Sequence, residues 1–164
     1  MGNNWERVLF FGRYLVPKNN IWLKRMCLMF GFILLDYFAT LAFCTTPMEE
    51  ANPHLRVFME NHGVFLGLTI FDFLINLPIY LILCFNSHFI SLPAPLSKIV
   101  DPLVDVILAW FLAGAHFNGA TSWFWLAPDL IRQATGFGIY LVIAMGMHLH
   151  SEVNSGFHLP DENR

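Results

Sequence analysis

Long apolar stretches alternate with short polar ones along this chain. The apolar stretches run at about Met26–Cys44, Val64–Phe85, Pro102–Phe117 and Pro128–Leu149. Each lies near the roughly 20 residues that a helix needs to cross the hydrocarbon of a bilayer. The third is short, and Asp101-Pro102 marks its start: an acid at the cap, then proline at the first helical position. The fourth also opens on proline. The pattern predicts an all-α fold, an integral membrane four-helix bundle. Residues 1–164 form one four-span domain, with a cytoplasmic or interfacial segment over 1–20 and a cytoplasmic tail over 150–164. Before the first span, "WERVLFFGRYLVP" mixes aromatics with charge and is expected to lie along the interface as a short amphipathic helix.

Composition strengthens this picture. Of 164 residues, 56% are hydrophobic and only 13% charged, and 17 are phenylalanine. A soluble domain carries about 25% charged residues, and a chain of this size cannot hide so much apolar surface from water. The net charge of −3 and the lack of a basic stripe exclude a nucleic-acid partner. Three cysteines without a C-x-x-C spacing are expected to be small packing residues.

Lys and Arg set the expected orientation. Arg7, Arg13, Lys18, Lys24, Arg25, Lys98 and Arg164 fall on one side, against Arg56 and Arg132 on the other. Both termini are therefore expected in the cytoplasm, with the chain in the cell (inner) membrane as a multi-pass protein. Trp123 and Trp125 then lie in an outer loop, suited to an aromatic belt.

The polar chemistry concentrates at one junction, "FCTTPMEEANPHLRVFMENHG", Phe43–Gly63. The residue before a proline disfavours helix, so Asn52-Pro53 is expected to end any extension of the first span. A short interfacial helix over Pro53–Asn61 should follow, with Leu55, Val57, Phe58 and Met59 toward lipid. Glu49, Glu50, Asn52, His54, Glu60 and His62 are expected to cap the mouth of a pocket.

Inside the spans, Asp36 and Asp72 each stand eight residues from the outer end of their helix, at ~12 Å depth. Thr40 and Asn76 are one turn away on the same faces. A carboxyl at that depth costs a few kcal/mol and must be paired, protonated or wet. His116 and Asn118, and then Asp129, Arg132 and Gln133, fall on the same side. Asp36, Thr40, Glu50, Asn52, Asp72, Asn76 and His116 thus form the candidate site for a small apolar or cationic ligand, or an ion. Two alternatives stay open: an accessory structural subunit of a larger membrane complex, and a lipid- or sterol-modifying enzyme using the paired carboxylates as acid and base. The same acids, protonated and hydrogen-bonded across helices, would also serve packing alone. No two histidines lie at equal depth in facing spans, as a bis-histidyl haem needs, and the sequence specifies no cofactor or metal. Ala115/Gly119 and Ala134/Gly138 give the small-xxx-small spacing of close helix contact.

"LLDYFATLAF" followed by "EEANPHLRVFMENHG" resembles an uncharacterised family of small prokaryotic multi-pass membrane proteins. That family carries an Asp and a Thr in one helix, then Glu-x-Asn-Pro at its outer end. The matching residues are Asp36, Thr40, Glu50, Asn52 and Pro53, and the likeness covers about residues 30–85. Where members often have a lysine in the next helix, this chain has Asp72. The resemblance implies a membrane helix bundle and no particular activity.

Overall fold

The computed structural model describes residues 12–90 and 92–156, with residues 94 and 148–156 as backbone only. Every regular element among them is helical. Helix α1 runs over Asn20–Phe43, α2 over Pro53–His62, α3 over Val64–Phe89, α4 over Ala94–Leu108, α5 over Ala115–Ser122 and α6 over Asp129–Gly156. A π-helical segment, Ala109–Gly114, joins α4 to α5, and short 3-10 turns occupy Arg13–Leu15 and Pro47–Glu49.

Three helical stretches, Asn20–Phe43, Val64–Phe89 and Asp129–Met147, are long and apolar enough to cross a membrane. Their outward faces are apolar too: Phe38, Phe73, Ile82 and Val142 are all exposed. In water such faces would be an aggregation liability; in a bilayer they are solvated by lipid tails. The segment expected as a short third span, 102–117, is not one uniform helix. It lies inside a helical run from Ala94 to Ser122 that the π segment divides into pieces of 15, 6 and 8 residues.

Local chemistry explains the boundaries. The Asn19 side chain caps α1 by accepting from the Trp22 amide at 2.9 Å. Beyond Phe43, Glu49 folds back to accept from the amides of Thr45 (2.7 Å) and Thr46 (3.2 Å). Those bonds hold its carboxyl below the usual range. Helix α1 has already ended at Phe43; Asn52 then caps α2 and Pro53 takes its first position, so Asn52-Pro53 starts the expected short helix and is not where the first one stops. At the far end, the helix expected to finish near Leu149 continues to Gly156, so the start of the expected tail is helical.

Two clusters make the core. The larger joins Met29, Phe32 and Ile33 of α1, Cys84 of α3, Ala113 of the π segment and Tyr140 of α6. The smaller lies under α2 and holds Cys44, Leu55, Met59 and Leu68. This corrects the expectation that α2 dips its apolar residues into lipid. Leu55 and Met59, one turn apart, are buried inward, and Phe58 meets Phe71 edge-on at 5.5 Å. Of the four, only Val57 is strongly exposed. Gly67 permits the approach, since a Cβ there would stand 2.6 Å from the Met59 Cα.

Of the expected amphipathic segment before α1, residues 5–11 lie outside the described residues. The remainder is clipped onto the end of α3. The Leu15 carbonyl accepts from the Tyr80 hydroxyl and the Cys84 thiol, the Val16 carbonyl from His88 Nε2 at 2.7 Å, and the Lys18 amide donates to Ser87 Oγ at 3.1 Å. Cys44 and Cys84 are buried as expected of packing residues, whereas Cys27 is exposed. Of the two small-xxx-small pairs, the one in α6 makes no close contact at Gly138. Gly136 is the close-approach position instead, with a would-be Cβ 2.4 Å from that of Phe117.

Candidate functional site

The helices converge on one chamber of about 560 Å³. That lies within the range of about 300–1,000 Å³ found for small-molecule sites. α1 contributes Asp36 and Thr40, α3 Asp72 and Asn76, α5 His116, and the loop before α2 Glu50 and Asn52. All seven residues singled out in the sequence therefore line one space. Glu49, Asn118, Asp129 and Arg132 reach it as well. His54, Glu60 and His62 do not: the inward turn of Leu55 and Met59 leaves them exposed on the other side of α2. Gln133 also points elsewhere, donating to the Trp110 carbonyl inside the π segment at 3.2 Å.

Asp36 does not bond to Asp72; its partner is His116, with Nδ1 to Oδ2 at 2.9 Å. A glycine makes room for the acid. A Cβ on Gly119 would fall 2.6 Å from Asp36 Oδ1. The π segment leads directly into α5, which carries His116 at its start, and π-bulges inside helices are frequent at functional sites. Thr40 Oγ1 accepts from Trp123 Nε1 at 3.3 Å, which ties α1 to the end of α5.

Glu50 is buried at the chamber edge, where its Oε1 accepts from the Asn52 amide at 2.7 Å and its carbonyl takes Arg56 Nε at 3.0 Å. Burial pushes its carboxyl above the ordinary range, opposed by the Asn52 amide and reinforced by the charge of Asp36. Arg132 is fully engaged: Nε donates to Asn118 Oδ1 at 2.8 Å, Nη1 to the Trp125 carbonyl at 2.9 Å, and Nη2 to Asp129.

On the α3 wall two acceptors stand unmatched. Asn76 gives its Nδ2 to the Asp72 carbonyl at 3.0 Å, but its buried Oδ1 has no hydrogen-bond partner among the described residues. The Asp72 carboxylate has no hydrogen-bond or ion-pair partner among the described residues, although His116, Asp36 and Glu50 bear on it electrostatically. Along α3 the chamber wall thus presents acceptors in excess. Its two nearby guanidinium groups are committed to other oxygens, and its imidazole to Asp36. Such a space suits a cation, a hydrogen-bond donor or a mobile proton. Among the described residues no group of three or more His, Cys, Asp or Glu is placed to hold a metal ion.

A second buried polar cluster, near the start of α1, went unanticipated. Arg25 of α1 engages Asp101 and Asp105 of α4. The signal was present: two acids four residues apart share one helix face, in a stretch otherwise apolar. Comparison with protein-family models, with curated proteins and with solved structures finds no match.

Proposed function

We propose that this chain is a multi-pass membrane protein that binds a small polar or cationic molecule in the chamber between α1, α3 and α5. The convergence of Asp36, Asp72, Glu50, Asn76 and His116 on one cavity carries this reading. Ionisable groups inside apolar helices are costly and by default mark function. Four ionisable residues, Asp36, Asp72 and His116 from three helices and Glu50 from a loop, together with Thr40, Asn52 and Asn76, are more than packing alone requires. On this reading the helical run Ala94–Ser122 is the fourth span of a four-helix bundle, and the chamber opens in the outer half of the cell (inner) membrane. The Lys and Arg asymmetry supports a cytoplasmic position for both termini.

The test is purification in mild detergent followed by native mass spectrometry. A bound small molecule that disappears in Asp36→Asn supports the reading. Stoichiometric co-purification with another membrane protein, with the chamber empty, would favour an accessory subunit instead. Cysteine-accessibility labelling checks the orientation, and external labelling at position 3 or 160 would overturn it.

A further inference from the structure

A second cavity, of about 380 Å³, lies between α1 and α3. Its walls are apolar, including Phe30, Ile33, Leu34, Phe73 and Leu77. Leu34 and Phe73 are exposed on the outward faces of their helices, so the groove lies on the side that lipid would cover. Two polar residues line it together with the chamber: Asp72 and Asn76 line both spaces. An apolar groove and an acceptor-rich chamber therefore meet at one polar seam.

The seam is unfinished. Asn76 is 7% exposed, and its Oδ1 is buried without a partner among the described residues. A buried amide oxygen is an acceptor only, and leaving it unmatched is unfavourable. The carboxylate of Asp72 beside it is likewise without a hydrogen-bond or ion-pair partner among the described residues. What would satisfy both is a group bearing N–H or O–H. What would fill the groove is a hydrocarbon chain, and the volume, near the lower end of the small-molecule range, suits one chain.

We propose that Asp72 and Asn76 hold the hydrogen-bond-donating head of a single-chain amphiphile, an amine or an alcohol, whose tail lies in the groove between α1 and α3. The proposal rests on the small-molecule reading above and gives that molecule its class. The ligand reaches the site sideways from the bilayer, through the exposed face between Leu34 and Phe73. Its head then sits at the chamber wall, within the field of Asp36, Glu50 and His116.

The experiment uses the full chain in phosphatidylcholine nanodiscs and dodecylamine carrying a diazirine in mid-chain. Photolysis should label groove residues such as Leu34, Phe73 and Leu77. Dodecylamine and dodecanol should displace the label at concentrations at least tenfold below dodecyltrimethylammonium, which has the same tail and charge as dodecylammonium but no N–H. Asn76→Leu removes the acceptor at similar volume. It should cut labelling at least tenfold while leaving the unfolding midpoint unchanged or higher, whereas a purely structural asparagine would lower that midpoint. Leu77→Trp fills the groove without touching the seam and should abolish labelling by itself. Equal displacement by dodecyltrimethylammonium, or full labelling of Asn76→Leu and Leu77→Trp, would overturn the proposal. Ethanolamine, a head without a tail, separates the two levels. If it raises the unfolding midpoint of the parent but not of Asp36→Asn while the groove stays unlabelled, the amphiphile fails and the chamber reading stands. If neither probe binds, the amphiphile fails, and the chamber reading falls with it only if native mass spectrometry also finds no bound small molecule.

Discussion

Arg25 and Asp105 form a forked pair, with Nε to Oδ1 at 2.8 Å and Nη2 to Oδ2 at 2.9 Å, and both residues are less than a tenth exposed. Arg25 also donates to the Asp101 carbonyl at 2.8 Å and stacks over Trp22 at 4.9 Å. Two parallel N–H···O bonds fix direction as well as distance, so the pair sets how α4 lies against the start of α1. Lys24 adds a bond to the Met147 carbonyl at 3.3 Å, bringing α6 to the same end.

Breaking this pair from one side leaves a buried charge unmatched. Arg25→Met or Asp105→Leu alone should each cost about 3–5 kcal/mol. The double substitution should recover most of that loss, because it removes both charges and leaves apolar side chains. Unfolding midpoints of the four proteins in one detergent complete the cycle. Single-variant losses below about 1 kcal/mol would show a solvated pair of little weight.

Asp36 and His116 pose the opposite problem, since their contact faces a cavity. Asp36→Asn keeps shape and hydrogen-bonding capacity but loses the charge. It should weaken ligand binding by about 1.5–3 kcal/mol, the scale of a hydrogen bond to a charged group, with the helices still folded. Asp36→Leu should be no worse for folding. A packing role gives the reverse order, with Asn tolerated and Leu disruptive. Ligand occupancy and unfolding midpoint, measured on both variants, separate the two.

Glu50 supplies a pH dependence. Its folded carboxyl is held above the ordinary range, chiefly by burial. It therefore binds its proton more tightly folded than unfolded. By linkage, the stability it contributes is present below the ordinary carboxyl pKa of about 4.3 and is lost as pH rises through the raised value. Glu50→Gln removes the ionisation and keeps an acceptor for the Asn52 amide. The variant should exceed the parent by about 0.5–2 kcal/mol at neutral pH and converge with it at pH 4. A parent as stable as the variant at neutral pH would mean that water reaches this carboxylate freely.

Much of this was legible in the residues. Asn52-Pro53 announced the start of α2 through its cap and proline, though α1 ends earlier at Phe43, and Asp36, Thr40, Asp72 and Asn76 announced a shared depth through helical spacing. Partner choice was not legible. That Asp36 meets His116 and not Asp72 follows from how α5 packs on α1 after the π segment, which no local propensity announces. Nor was the inward turn of α2, because Leu55 and Met59 read equally well as facing lipid or protein. The decision rests with Gly67, which lets the α2 backbone approach more closely than any side chain would. Arg25 reads as a cytoplasmic charge beside Lys24; Asp101 and Asp105 on one helix face hint at a buried partner, and the packing of α4 brings them to it.

Gly67 and Gly119 give the last prediction, because each allows a close approach of a different kind. A Cβ at Gly67 would meet backbone, 2.6 Å from both Met59 N and Met59 Cα. Neither helix can yield without sliding, so Gly67→Ala should cost about 1–3 kcal/mol, the usual scale of overpacking. The folded fraction should still bind ligand, since the strain falls between α2 and α3 and not on the chamber's acids. A Cβ at Gly119 would instead meet the end of a side chain, 2.6 and 2.8 Å from the two Asp36 carboxylate oxygens. That carboxylate can swing away, and alanine recovers about 0.5–1 kcal/mol of helix propensity. Gly119→Ala should therefore hold its unfolding midpoint while losing the Asp36–His116 bond and, with it, ligand binding. Midpoint and occupancy are thus expected to move separately: stability in one variant, binding in the other. If Gly119→Ala binds like the parent, the 2.9 Å contact between Asp36 and His116 is not what shapes the site.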